Sequence, residues 1–129
     1  MEGKEVVRTD AAPAPYQGAP YSQAIRSGGF VFVSGQLALR PGVAELSGGT
    51  IQEQTEQVFA NLRAILEAAG SGLDRLVKTT VFLTDLGEFA GMNEVYARHV
   101  GDRPPARSTI GISQLPSGAR VEIEAIAHV

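Results

Sequence analysis

The chain has 129 residues, of which 43% are apolar and 19% charged, with a net charge of −3 and no cysteine. A chain of this length can bury one ordinary core, so we expect residues 1–129 to form a single domain. The lack of cysteine excludes disulfides and thiolate metal sites, and two histidines are too few for a histidine metal centre.

The eleven Lys and Arg residues are scattered over an acidic chain, which disfavours nucleic-acid binding. No apolar run reaches the length that a membrane span needs, so no membrane association is expected. The first residues also lack the apolar stretch of a signal peptide. We therefore expect a cytoplasmic protein.

The first third of the chain predicts an extended lead-in followed by a hairpin. Residues 1–15 have prolines near their end and no clear period, which favours extended backbone. Between Ser22 and Gln36, two runs rich in β-branched and aromatic residues flank Gly28 and Gly29, a hairpin pattern. The next segment, LALRPGVAELSGG, is punctuated by Pro-Gly and Gly-Gly and is predicted to be a loop.

A helix is predicted from Ile51 onward. Thr50 and Glu53 form a capping-box pattern at its start, and Gly70 supplies a stop. Apolar positions recur at steps of three and four and predict one buried stripe. They are Ile51, Thr55, Val58, Phe59, Leu62, Ile65, Leu66 and Ala69.

The second half predicts a strand, a helix and two further strands. LDRLVKTTVFLTD is rich in β-branched residues, and Asp85 with Glu88 suggests a capping box for a helix through EFAGMNEVYARHV. Two strands follow, roughly Ser108 to Ser113 and Val121 to Val129. The order of elements predicts an α+β fold in which a sheet carries two helices on one face.

The last predicted strand separates two faces. Its odd-numbered residues from Val121 to Val129 are apolar and predict a core face. Glu122, Glu124, Ile126 and His128 point the other way. A mixed face of this kind suits a subunit interface or a pocket.

Arg107 is the first candidate for chemistry, because Pro104 and Pro105 stiffen the chain before it. Its guanidinium fork suits a planar carboxylate ligand. A structural salt bridge to Glu122 or Glu124 is the alternative, and the residues alone favour it. Glu122 suits a general acid or base, or a solvated strand position.

Other polar groups have weaker signals. The pattern around Tyr21 favours an aromatic residue packed in a turn, and that around Ser34 favours the end of a strand. The Asn93 amide is unusual beside an apolar helical stripe. Thr109 follows Arg107 by two residues and is expected on the same side of its strand. His99 and His128 receive no role.

Five segments carry a family pattern. They are APYSQAI, FVFVSGQL, ANLRAILEAAGSGLDRLVKTTVFLTDL, FAGMNEVYARHV and PPARSTIGISQLPSGARVEIEAIA. In this order and at this spacing they resemble the RidA family of reactive-intermediate deaminases. The last segment is the most specific, and the resemblance runs from about Pro15 to the C-terminus, which leaves residues 1–15 as a poorly matched lead-in.

The resemblance implies a chorismate-mutase-like fold, with a mixed sheet that carries two helices on one face. Three subunits of this fold would pack as a homotrimer around a central barrel, with sites in the clefts between neighbours. It also implies hydrolysis of reactive 2-enamine or 2-imine acids, such as 2-aminoacrylate and 2-iminopropanoate, to 2-keto acids and ammonia. No metal or cofactor is expected, since imines hydrolyse in water without help. Holding the substrate carboxylate and placing one water against the imine carbon would lower the entropic part of the barrier.

The resemblance also implies roles for individual residues. Arg107 corresponds to the carboxylate-binding arginine and Glu122 to the glutamate that orients or activates water. The substrate-binding positions that it implies, with Thr109 added as a hydrogen-bonding group, are Tyr21, Ser34, Gly35, Asn93 and Thr109.

The chain departs from the family pattern at two places. Ala19 replaces the usual glycine before Pro20, with a glycine at Gly18 instead, and Thr109 stands where cysteine is frequent. Two rival functions also stay open. They are a non-catalytic module that binds small carboxylates or a partner, and an RNA-cleaving or translation-inhibiting protein, which the acidic balance disfavours.

Overall fold

The structure is a computed structural model and describes residues 3–43 and 45–129. Its strands are β1 (Glu5–Val7), β2 (Ala24–Ser27), β3 (Phe30–Gln36), β4 (Leu76–Leu83), β5 (Ala106–Gly111) and β6 (Val121–His128). Its helices are α1 (Ile51–Ala68) and α2 (Phe89–Val100).

The strands form one mixed sheet in the order β1-β2-β3-β6-β4-β5. In the described part of the chain, β4 and β5 run parallel and the other neighbours are antiparallel. The parallel pair is joined through α2, as parallel strands require a crossover connection. The predicted α+β class, with a mixed sheet and two helices, is confirmed.

The predicted hairpin is confirmed in β2 and β3. Gly28 and Gly29 make its turn with positive φ angles of 62° and 85°, which glycine adopts without a steric penalty. The three residues of β1 pair with β2, although the lead-in gave no strand signal because it is short and lies before a proline-rich stretch. Ala44 of the predicted loop lies outside the described residues.

Helix α1 begins with the predicted capping box. The Thr50 hydroxyl accepts a hydrogen bond from the Glu53 backbone N–H, and the Glu53 carboxylate accepts one from the Thr50 N–H. These bonds lower the pKa of Glu53, the backbone bond from Thr50 being the largest cause. All eight residues of the predicted stripe are buried. Gly70, at φ +84°, follows the C-cap.

The capping box predicted for α2 is wrong. The Asp85 carboxylate accepts from the Gly87 N–H and so caps a short 3₁₀ turn, Leu86–Glu88. The Glu88 carboxylate bonds the Arg120 guanidinium instead, and α2 begins at Phe89 without a side-chain cap. The residues that the pattern assigned to the start of α2 therefore form a 3₁₀ turn before the helix.

Both helices lie on one face of the sheet and build the main core. Phe59 and Leu62 of α1, Met92 of α2 and the inward residues of β6 belong to one buried cluster. The opposite face is open, with Phe30 and Phe32 exposed by 41% and 44%. The predicted alternation of β6 is confirmed except at Val129, which is exposed. No helix of residues 3–43 and 45–129 is long and apolar enough to cross a membrane.

We expect Thr50→Ala to lower the free energy of unfolding by about 1 kcal/mol, because the first turn of α1 loses its side-chain acceptor. Urea denaturation followed by circular dichroism measures this. Arg63→Ala, at an exposed position of the same helix, should stay within about 0.5 kcal/mol of the native protein. Equal losses in the two variants would show that the cap does not stabilise α1.

Candidate active site

Arg107 is held by uncharged groups. Its Nη1 donates a hydrogen bond of 2.7 Å to Asn93 Oδ1, and its guanidinium carbon lies 4.6 Å from the centroid of the Tyr96 ring and 5.4 Å from that of Phe89. Such cation–π contacts orient a guanidinium without neutralising it. The cation is half-buried, and no carboxylate among the described residues neutralises its charge.

The alternative of a structural salt bridge for Arg107 is wrong. Among residues 3–43 and 45–129, Arg107 forms no ion pair with a carboxylate, Glu122 and Glu124 included. The reason is the direction of the side chains, since both glutamates leave the sheet on the face opposite to α2.

Strand register explains why Arg107 meets α2. Arg107 is the cross-strand partner of Thr79 in the parallel pair β4 and β5, and Thr79 is fully buried beneath the helices. Neighbours in register share a face, so Arg107 points to the same side. Phe89, Asn93 and Tyr96 follow at spacings of four and three along α2 and therefore line one side of the helix.

Sequence reasoning found Asn93 but missed the two aromatic partners of Arg107. The spacing of Phe89, Asn93 and Tyr96 was visible, yet it is also that of an ordinary core stripe. Only the parallel pairing of β4 with β5, which places Arg107 opposite that stripe, distinguishes the two interpretations.

Thr109 lies on the same face as Arg107, as predicted, and pairs with Val81. Its hydroxyl is buried and has no hydrogen-bond partner within the described residues. A buried hydroxyl without a partner is unfavourable unless a water or ligand meets it. Asn93, Arg107 and Thr109, with the rings of Phe89 and Tyr96, are here called the Arg107 half-site.

A cavity of about 320 Å³ opens beside the Arg107 half-site. Apart from Asn93, Tyr96 and Arg107, its lining is apolar or glycine: Ala97, Val100, Gly101, Pro104 and Pro105. Among the described residues, the cavity therefore offers a single cation in an apolar surrounding, where its attraction for an anion is stronger than in water.

Glu122 lies on the open face of the sheet and is half-buried. Burial raises the pKa of its carboxyl, and the negative charge of Glu124 raises it further. The β3 strand has a bulge between Val33 and Gln36, opposite this part of β6. A Cβ at Gly35 would overlap Glu122 Oε2, so only glycine leaves room for the carboxylate there.

Tyr21 and Ser34 lie on the β3 side of Glu122. The Ser34 hydroxyl donates 2.6 Å to the carbonyl of Ser22, and the Ser34 N–H donates 2.9 Å to the carbonyl of Gln23, so the segment after Tyr21 is fastened to β3. The Tyr21 hydroxyl accepts a bond of 2.6 Å from the Tyr16 N–H. Tyr21 and Gly35 line one small cavity. Tyr21, Ser34, Gly35 and Glu122 are here called the Glu122 half-site.

Replacement of the usual glycine by Ala19 causes no backbone strain at position 19. Ala19 has φ −62° and ψ 155°, which any residue adopts. Gly18 has φ +69°, in the left-handed region that favours glycine. The displaced glycine therefore occupies the position that requires one.

The structure does not bring the two half-sites of one chain together. The Arg107 half-site faces the helices from the edge strand β5, whereas Glu122 faces the open side from the central strand β6. A small molecule that contacts Arg107 on one face cannot reach Glu122 of the same chain through the sheet. Each chain thus presents two separate halves.

Comparisons with known proteins agree with this fold. The sequence profile described as Endoribonuclease L-PSP matches residues 11–129. Reactive Intermediate Deaminase A, chloroplastic, of Arabidopsis thaliana is 45% identical over 124 residues, which are 96% of this chain and 65% of that protein.

Two solved structures are similar in sequence and in fold. RidA from the Antarctic bacterium Psychrobacter sp. has a TM-score of 0.91 and 44% identity, with 97% of this chain and 99% of that chain covered. E. coli TdcF with bound serine has a TM-score of 0.88 and 36% identity, with 97% and 98% covered. The chain belongs to the RidA family, whose profile carries the description Endoribonuclease L-PSP.

Proposed function

We propose that this protein hydrolyses reactive 2-imino acids, and the enamines in equilibrium with them, to 2-keto acids and ammonia. The observation that carries the proposal is Arg107, an oriented guanidinium without a carboxylate partner within the described residues. The substrates are short-lived species such as 2-iminopropanoate and 2-iminobutanoate.

Arg107 binds the substrate carboxylate. Asn93 occupies Nη1, and the rings of Tyr96 and Phe89 fix the plane of the guanidinium, which leaves donors for two parallel hydrogen bonds to a carboxylate. Holding the carboxylate fixes the imine carbon and removes part of the entropic barrier to attack by water. Thr109, whose hydroxyl has no partner among the described residues, donates to the substrate or to the attacking water.

Glu122 moves the protons. Water adds to the imine carbon, and the C–N bond of the resulting carbinolamine breaks to release ammonia, so a proton must leave the water and reach the nitrogen. A carboxyl with a raised pKa exists in both forms closer to neutral pH and can relay that proton. Tyr21, Ser34 and Gly35 complete this side of the site by shaping the space around the Glu122 carboxylate.

We further propose that the working site lies between subunits of a homotrimer. The Arg107 half-site of one chain would meet the Glu122 half-site of its neighbour, because one chain holds the two on opposite faces of its sheet. The open face, with exposed Phe30 and Phe32, would then line the central barrel, where apolar side chains gain burial.

The comparisons support the general chemistry. An Arabidopsis thaliana relative is named as a reactive intermediate deaminase, and the TdcF structure holds serine, a small amino acid with a carboxylate. The bound serine also favours a second candidate, a module that binds small carboxylates without turnover. A carboxylate-binding module would not need Glu122 beside Gly35, and this is why we prefer the deaminase.

We expect the native protein to accelerate the loss of imine generated in situ by an amino-acid oxidase and trapped as the semicarbazone. Arg107→Ala should lower kcat/KM by about 100-fold, the loss expected for charge-assisted bonds. Glu122→Gln should lower kcat by about 100-fold with little change in binding of a keto acid. Arg103→Ala, at an exposed position near the start of β5, should keep native activity.

Full activity of Arg107→Ala would contradict the proposal that Arg107 binds the substrate carboxylate. Equal losses of kcat and of keto-acid affinity in Glu122→Gln would contradict its role in proton transfer. No activity in the native protein, together with binding of keto acids, would favour the binding module.

The raised pKa of Glu122 predicts a dependence of stability on pH. Between the usual carboxyl pKa of 4.5 and the raised value, the folded chain binds more protons than the unfolded chain, so stability falls as pH rises. Glu122→Gln removes this loss. We expect its melting temperature, relative to the native protein, to be higher at about pH 7 than at about pH 4.

Glu124→Gln serves as the matched variant, since the charge of Glu124 is the second cause of the shift. It should give a smaller change of the same sign. Differences in melting temperature that do not vary with pH would contradict the raised pKa.

A further inference from the structure

Tyr96 lies beneath Arg107, and its hydroxyl forms a buried hydrogen bond with Thr79. Its hydroxyl is 2.6 Å from the hydroxyl of Thr79 on β4, and both side chains are buried. Phe59 of α1 packs against the Tyr96 ring, with the two ring centroids 5.5 Å apart and an interplanar angle of 79°. The ring of Tyr96 is therefore held at its hydroxyl end and at its side.

The register of β4 and β5 places Thr79, which bonds the Tyr96 hydroxyl, beside Arg107. Thr79 and Arg107 are cross-strand partners on the face that meets α2. The Tyr96 ring spans both, because its hydroxyl bonds Thr79 while its face lies 4.6 Å from the Arg107 guanidinium. The hydrogen bond to Thr79 thus fixes the ring plane on which the guanidinium rests.

We propose that Thr79 and Tyr96 are positioning residues, and that their hydrogen bond orders the Arg107 guanidinium before the substrate carboxylate arrives. An arginine side chain loses much rotamer freedom when its fork is used, so ordering it in advance improves affinity. The inference rests on the proposed function only for the identity of the anion. Carboxylate binding tests it without turnover.

Removing the bond by single substitutions would confuse positioning with stability. Tyr96→Phe leaves the Thr79 hydroxyl buried without a partner, and Thr79→Val does the same to Tyr96, so each single variant is expected to lose stability. The double variant Thr79→Val/Tyr96→Phe removes both hydroxyls, replacing one with a methyl group and leaving the aromatic ring in place. Its melting temperature should return close to the native value.

The test measures the dissociation constant of 2-oxobutanoate by calorimetry for the native protein and the double variant. We expect the double variant to bind about fivefold more weakly despite its restored stability, since an interaction of hydrogen-bond strength no longer orients the ring. In the imine assay, KM should rise by a similar factor while kcat changes by less than about twofold, because the carboxylate is held equally before and during the reaction.

Thr55→Val is the matched control. Thr55 is buried on α1, and its hydroxyl donates to the carbonyl of Ile51 and not to a residue of the Arg107 half-site. It should lower the melting temperature without changing the dissociation constant.

Native affinity in the double variant would overturn the proposal. So would affinity losses that follow melting temperature when the two single variants, the double variant and Thr55→Val are all measured in the same way. Binding without turnover in the native protein would overturn the deaminase function while the dissociation constants still decide the positioning role. No binding of 2-oxobutanoate to the native protein would overturn both.

Discussion

The alternation of side chains along β4, β5 and β6 determines where each candidate residue can act. Arg107 shares the face of Thr79 and meets α2, whereas Glu122 shares the face of Phe82 and points to the open side. A shift of one residue in either register would move the side chain to the other face. The buried alternate residues of β6 oppose such a shift, since it would expose Ile123 and bury Glu122.

The second constraint is electrostatic. A half-buried cation without a counter-charge is costly, and the chain reduces that cost with an amide and two aromatic rings while leaving the charge available. A carboxylate at the same place would have stabilised Arg107 but removed its attraction for a substrate. On the open face the opposite arrangement holds, because burial and the charge of Glu124 favour the protonated form of Glu122. In the proposed function, the two halves would bind the two ends of a small imino acid.

Much of the fold could be predicted from the sequence because its signals are local. The capping box of α1 and the alternation of β6 depend on residues a few positions apart, and both are confirmed. The capping box of α2 was wrong because Glu88 has a more distant partner, Arg120. Strand β1 was missed because its three residues are defined by pairing with β2 and not by their own pattern.

In the candidate site, too, local features could be predicted from the sequence and long-range features could not. The residues themselves came from motifs, including the family resemblance, but their arrangement depends on strand order and register, which no local pattern carries. Phe89 and Tyr96 were therefore not identified as partners of Arg107, and the separation of Arg107 from Glu122 was not foreseen.

Mixing two inactive variants tests most directly whether the half-sites join between subunits. Chains carrying Arg107→Ala and chains carrying Glu122→Gln would be denatured together in equal amounts and refolded, and imine hydrolysis measured. In a cyclic trimer, every mixed ring has one cleft with both native halves, so about a quarter of native activity should return. As a control, each variant would be refolded with a chain that carries both substitutions. Such mixtures contain no cleft with both native halves, so their activity is the background level. If refolded and mixed trimers stay at the activity of the separate variants, the half-sites do not join between subunits.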